Sequence, residues 1–228
     1  MTLWNDLKNL FFPSLCLLCE EPLLKGEEHI CLDCFCHLPR IRFFEPGKSP
    51  ADLLFAGKFP FEHASVFLRY EKDGVVQQLI HTLKYHGQKE LAYYLGRIAA
   101  IEMNLSPTHA DIDMIIPVPL HPKRLKQRGY NQSEWIARGI SSVTGIPVDS
   151  RQLSRSQFTQ TQTRKSIYER WENVQDIFSL NNPPEIENKH ILLVDDVMTT
   201  GSTLGESAKT ILSASHTRIS LFSIAIAG

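Results

Sequence analysis

His190-Ile-Leu-Leu-Val-Asp-Asp-Val-Met-Thr-Thr-Gly-Ser-Thr-Leu204 is the stretch on which the reading of this chain turns. Its apolar run, Ile191 to Val194, predicts a strand buried on both faces, as strands inside a parallel sheet are. Two adjacent carboxylates, Asp195 and Asp196, stand where that strand should end. Thr199, Thr200, Gly201, Ser202 and Thr203 follow as a turn rich in hydroxyls and poor in bulk. After them Leu204, Ala208, Ile211 and Leu212 recur at helical spacing. A loop that opens a helix offers free backbone N–H groups and the positive end of the helix dipole, which suit a phosphate monoester. Gly201 lets the backbone come close to such a group. The two carboxylates would repel a phosphate, so they must serve something else. Vicinal hydroxyls of a ribose, with or without a bound cation, are the natural donors to them. An ordinary polar loop capped by acids is the bland alternative, but strand, acid pair, turn and helix coincide over fifteen residues.

Outward from this stretch the pattern alternates. Residues 61–70 predict a strand, 74–85 and 90–103 helices, 113–118 a strand and 131–143 a helix. A short strand near 146–148 follows, and sheet resumes at 177–180, 190–194 and 217–226. Strands alternating with helices imply an α/β fold with a doubly wound parallel sheet, whose ligands bind outside the carboxyl ends of the strands. Ile115-Ile-Pro-Val-Pro119 runs into a proline-held turn, and Lys123, Arg124, Lys126 and Arg128 precede Gly129. Irregular backbone carrying these cations at a strand end would suit a pyrophosphate, although a solvated charged face is a serious competitor for any single one. Residues 154–165 are polar, aperiodic and hold Arg155, Arg164 and Lys165. They predict a mobile loop leading to a short helix around 166–173.

All five cysteines lie within the first 36 residues. Cys16 and Cys19 form one Cys-x2-Cys pair, Cys31 and Cys34 another, with eleven residues between them. That spacing predicts a closed four-thiolate Zn2+ site with a structural role, since no position is left for water. Cys36 is left over, with His29 and His37 nearby as conceivable substitutes. A disulfide framework fits poorly with a chain that shows no secretory leader. Before the pairs, Leu3, Trp4, Leu7, Leu10 and Phe11 make an apolar stripe at helical spacing, with too little positive charge on the other face for a membrane anchor.

A chain of 228 residues with 43% hydrophobic composition can bury one good core and a small appendage. The expected division is a helix and zinc-ribbon-like module over 1–45 and an α/β domain over 46–228. Formal charge is nearly balanced, 24 Lys and Arg against 25 Asp and Glu, which excludes coating of nucleic acid by bulk charge. Between Lys123 and Arg170, however, ten basic residues face three acidic ones, so that segment expects anions. No apolar run approaches the length of a membrane span, and the expected location is cytoplasmic.

The 190–204 stretch resembles the PRPP-binding motif of type I phosphoribosyltransferases. That resemblance implies that Asp195 and Asp196 hold the ribose hydroxyls of 5-phosphoribosyl 1-pyrophosphate (PRPP). Thr199, Thr200, Gly201, Ser202 and Thr203 would hold its 5′-phosphate, Mg2+ would accompany the ligand, and a flexible loop over 154–165 would cover the reacting centre. The wider order of features is similar to the ComF/GntX family, phosphoribosyltransferase-like proteins associated with DNA uptake. These features are the cysteine pairs, Leu83-Lys-Tyr85, Ile116-Pro-Val-Pro119, Arg128-Gly-Tyr-Asn-Gln132, then Gln162, Arg170 and Asn173, and last the acid pair. The chain departs from that family at Ser213-Ala-Ser-His216, where Ala-Gly-Ala is usual, and at Ser202, where Ala is common. The expected activity is phosphoribosyl transfer or handling, with Lys123, Arg124, Arg128 and Arg155 as pyrophosphate candidates. Two alternatives stay open: a non-catalytic PRPP or nucleotide binder, and a single-stranded DNA handling protein using the 123–170 cations. Neither the acceptor nor the oligomeric state can be read from the residues.

Overall fold

A computed structural model of the chain describes residues 13–41, 48–85, 87–103, 111–155 and 177–227. The apolar stripe from Leu3 to Phe11, most of the 154–165 loop, the 166–173 helix and Gln162, Arg164, Lys165, Arg170 and Asn173 lie outside those residues.

Four parallel strands form the centre: β1 (Ala64–Tyr70), β2 (Met114–Pro117), β5 (His190–Met198) and β6 (Arg218–Ala227), in the order β1-β6-β5-β2. Helices bury both faces, which is why the strands read as continuous apolar runs. On one face lie α3 (Val75–Tyr85), α4 (Lys89–Met103) and α6 (Gln132–Thr144). In α3 the inward set Val76, Leu79, Ile80 and Leu83 follows helical spacing. The other face carries α2 (Pro50–Phe55) and α7 (Ser202–Leu212), the latter through Leu204, Ala208 and Ile211. Successive residues of β5 divide between these layers, Leu192 and Val194 to the first, Ile191 and Leu193 to the second. This is the doubly wound α/β arrangement.

Several local expectations are corrected. The acid-bearing strand does not stop at Val194. It pairs with β6 as far as Met198, so Asp195 and Asp196 sit within the strand. Residues 177–180 do not join the main sheet. β4 (Phe178–Leu180) pairs antiparallel with β3 (Leu153–Arg155) in a separate ribbon. The 146–148 segment makes a single parallel bridge, Val148 to Ile115, rather than a strand. The cationic stretch after β2 is a helix, α5 (Pro122–Arg128), not irregular backbone. Pro122 presets its first turn, the His121 ring caps it by accepting from Lys123 N–H at 3.1 Å, and Gly129 ends it at φ 80°.

Both edges of the sheet are occupied. Arg40 bridges antiparallel to Leu68 of β1, while Val148 lies beside β2. The segment carrying Arg40 belongs to the cysteine-bearing region, which includes α1 (Leu32–Cys36). That region docks on α3 and α4 through Gln78 to the Leu17 carbonyl at 2.7 Å, and through ion pairs Arg97–Glu28 at 2.9 Å and Arg40–Glu102 at 2.8 Å. At the amino end of β5 the buried His190 ring bridges Asp111 at 3.0 Å and Ser220 at 2.8 Å.

Helices α4 and α6 meet backbone to backbone at two glycines. A Cβ on Gly139 would lie 2.1 Å from the Tyr93 carbonyl oxygen, and one on Gly96 would lie 2.2 Å from that of Ile136. Neither helix can yield alone, because both are packed on the sheet. Gly139→Ala therefore lowers stability by about 2–3 kcal/mol in urea unfolding despite the better helix propensity of Ala. A neutral or stabilising result would show that the crossing can open freely.

Candidate functional site

α6, which comes after β2 and α5, and α7, which follows β5, pack on opposite faces of the sheet, and such a switch between neighbouring strands leaves a crevice at their carboxyl ends. Asp195 and Asp196 lie there, each below a tenth exposed. Asp195 accepts from the Ser133 hydroxyl of α6 at 2.9 Å and from the Asp196 N–H at 2.9 Å. Asp196 faces the Lys84 ammonium of α3 at 3.2 Å. Burial, and then the adjacent Asp196 charge, pushes the Asp195 carboxyl up to about 7, while the Asp196 N–H, Ser133 and Lys84 hold it back.

Three motifs seen in the sequence meet beside the acids. The Leu83 carbonyl accepts from Tyr130 Oη at 2.5 Å and from Gln132 Nε2 at 3.2 Å, and Arg128 donates to Gln132 Oε1 at 2.9 Å. Asn131 caps α6 and donates to the Val118 carbonyl at 3.0 Å. The Leu83-Lys-Tyr85 end of α3 is thus locked to the turn between α5 and α6, which sets where Lys84 stands. Burial pushes the Tyr130 phenol up to about 12, so it remains a donor.

Three residues beyond β5, Gly201 opens α7 in the left-handed region at φ 75°. It has no side chain with which to cap the helix, and its carbonyl takes the Gly205 N–H at 2.8 Å. Thr200 and Ser202 hydroxyls pair at 2.8 Å, and Thr199 is exposed. A Cβ on Gly201 would meet Phe55 Cε1 at 2.8 Å. Phe55 is held there because Asp52 of α2 both closes a capping box with Ser49 and accepts from Ala64 N–H at 2.9 Å.

The four pyrophosphate candidates separate. Arg128 is committed to Gln132. Arg155 stacks over Phe178 at 5.2 Å, and its Nε is buried without a hydrogen-bond partner among the described residues. Burial and then the charge of Arg124 push its guanidinium down, with Asp195 pulling the other way. Arg124 and Arg155 therefore share one field with the acid pair. Burial, and then Lys123, Arg155 and Arg124, also lower His121. Lys123 lies exposed on α5. Ser133, Lys84 and His121 were not singled out from the sequence. All three lay in or beside quoted motifs, Lys84 within Leu83–Tyr85, His121 shortly after Pro119 and Ser133 directly after Gln132.

The four thiols of Cys16, Cys19, Cys31 and Cys34 lie within 4.8 Å of one another. Cys19 and Cys31 Sγ are 3.7 Å apart, close to the edge of about 3.8 Å in a tetrahedron with metal–sulfur bonds of about 2.3 Å. Leu18 and Cys31 N–H groups donate to Cys16 Sγ at 3.5 and 3.3 Å, as second-layer support of a thiolate requires. Burial opposes ionisation of Cys16, but the N–H groups of Cys19, Cys31 and Leu18 outweigh it and bring the thiol down to about 6. Cys36 is exposed, His29 stacks with Tyr94 and His37 holds the Asp33 carbonyl. The donor set fits a closed thiolate metal site.

Known proteins agree with this architecture. The family profile described as "Phosphoribosyl transferase domain" matches residues 131–225. The chain is 30% identical over 218 residues to "DNA utilization protein YhgH" of Escherichia coli (strain K12), covering 89% of this chain and 92% of that protein. It is 36% identical over 135 residues to "Competence protein F" of Haemophilus influenzae, 58% of this chain and 59% of the relative. "Competence protein ComFC" of Bacillus subtilis is 25% identical over 203 residues, 87% of this chain and 71% of that one. The chain belongs to the ComF family of phosphoribosyltransferase-like proteins.

The raised Asp195 carboxyl makes the fold pH-dependent. An unfolded Asp ionises near about 4, and the native one only near 7, so between those values the native state binds the extra proton. Stability from this group therefore falls as pH rises from about 4 to about 7, and the deficit persists above. Asp195→Asn removes the deficit, so its stability relative to the parent rises between pH 5 and pH 8 in urea unfolding without ligand. An equal difference at both pH values would contradict the burial of an ionised Asp195.

Proposed function

We propose that this ComF-family protein binds PRPP with Mg2+ at the crevice beyond β5 and transfers or handles its phosphoribosyl group. The observation carrying the reading is that two buried carboxylates and the α7 amino end, where Gly201 has no side chain and the Thr200 hydroxyl takes the Ser202 N–H at 3.4 Å, lie on one strand–turn–helix segment within the matched domain. Asp195 and Asp196 accept the ribose hydroxyls. The first N–H groups of α7, with the hydroxyls of Thr199, Thr200, Ser202 and Thr203, take the 5′-phosphate, and Gly201 supplies the left-handed turn that opens the helix against Phe55. Lys123, Arg124 and Arg155 face the pyrophosphate, and Arg128 positions Gln132. Mg2+ would come with the ligand's own oxygens and shield charge on the leaving pyrophosphate, which leaves the acid pair to the ribose hydroxyls. Where the group is transferred, catalysis comes mainly from orientation and charge neutralisation, and the reaction is that of a pentosyltransferase.

In the same reading residues 1–45 form a structural Zn2+ module, 46–228 the phosphoribosyltransferase-like domain, and the protein works in the cytoplasm. The printed names of the relatives support a role in DNA uptake or use. Single-stranded DNA is the second reading, favoured by Lys123 and Lys126 exposed on α5 beside the crevice. Steep loss of affinity with salt would support it, and salt-independent binding would remove it.

Titration calorimetry with PRPP and Mg2+, paired with pyrophosphate release over bases, amines and ammonia, tests the main reading. Asp195→Asn/Asp196→Asn lowers PRPP affinity by at least about a hundredfold, since two charge-assisted hydrogen bonds are lost. Unchanged affinity sinks the site. Binding without release across the panel leaves a sensor rather than a transferase. Separately, purified protein carries one Zn2+ per chain, and Cys16→Ser loses the ion together with several degrees of melting temperature. Metal-free protein with an unchanged melt would exclude the structural ion.

A further inference from the structure

Among the described residues Lys84 is the cation that touches the acid pair: its Nζ is 3.2 Å from Asp196 Oδ2, and its side chain is about a quarter exposed. The Leu83 carbonyl one residue earlier is held by both Tyr130 and Gln132, so the last turn of α3 is fixed rather than frayed. Resting on the pentose phosphate reading above, we infer that Lys84 is a ligand-contacting residue that lets the acid pair grip a vicinal diol without a divalent cation.

The chemistry is a four-atom arrangement. A ribose hydroxyl donates its hydrogen to an Asp196 oxygen and still has lone pairs to offer. The Lys84 ammonium has three donors, one of which goes to Asp196. Another is available for the oxygen of that same hydroxyl. Carboxylate and ammonium together then bind the hydroxyl from both sides, the task a divalent ion would otherwise perform. The ammonium also offsets one of two adjacent negative charges in a site where both acids are nearly buried. The substrate class is accordingly a ribose 5-phosphate unit, with Mg2+ needed for the pyrophosphate and not for the sugar.

The probe is ribose 5-phosphate, which lacks the pyrophosphate, titrated calorimetrically into the full-length protein in EDTA and again in Mg2+. Wild type binds it with equal affinity in both buffers, and 2-deoxyribose 5-phosphate binds about tenfold more weakly. Lys84→Met loses about tenfold or more in EDTA and regains part of it in Mg2+, while Lys84→Arg keeps most affinity in either. Circular dichroism melts of the variants report the fold, and the ratio between the two buffers is a readout that mere structural damage would not move. Ribose 5-phosphate binding that requires Mg2+ in wild type, or full affinity of Lys84→Met in EDTA, overturns the inference. If Lys84→Met binds normally while Asp195→Asn/Asp196→Asn does not, Lys84 alone is at fault. If the Asp variant binds like wild type, or wild type fails to bind in either buffer, the pocket reading falls and this inference with it.

Discussion

Two neighbouring carboxylates placed inside a strand of a parallel sheet impose most of what surrounds them. Ionised acids removed from water must find donors or cations, and here each has one from the helical layer on one face: Ser133 on Asp195, Lys84 on Asp196. Meeting that demand fixes the helices. α6 must approach closely enough for Ser133 to reach, and its Gly139 allows it to lie directly on α4. α3 must end where Lys84 can point at the strand, and Tyr130 and Gln132 tie down the carbonyl that precedes it. The acids and their neighbours are thus mutually specified, and burial beside a second carboxylate raises the carboxyl of Asp195.

The sheet and its order of elements were readable because burial on both faces leaves an uninterrupted apolar record, as in Ile191 to Val194. The cysteine spacing was equally plain. Reading failed where a neighbour, not local pattern, decides. Asp195 to Met198 continue as strand because β6 pairs with them, and two acids give no local hint of that. Residues 177–180 have strand character, but only the presence of β3 decides that they pair away from the main sheet. The α5 helix is a different case. His121, Pro122 and Gly129 are proper start and stop signals, and the density of charge between them drew the reading toward a loop. Within the site, Asp195 and Asp196 stood out by type and adjacency. Ser133 could not, since one serine on a helix acquires meaning only from a strand sixty residues away.

The cysteine module is joined to the same framework. Leu17 lies between Cys16 and Cys19, and its carbonyl takes the Gln78 side chain on α3, the helix that ends at Lys84 and Tyr85. Cys16 and Ile30 are buried in the same core as Leu79 and Leu83. The cysteine cluster and the first turns of α3 therefore share one core and one hydrogen bond, at the end of the helix opposite the one that faces the acids.

The covered flanks of the central sheet bear on how copies of the chain can associate. With the Arg40 segment laid along β1 and Val148 beside β2, neither border presents a full row of bare amide and carbonyl groups to a visitor. Pairing with a strand of another copy is hindered there by the molecule's own backbone. Lateral addition of another strand at either border would first have to displace these segments of the chain itself.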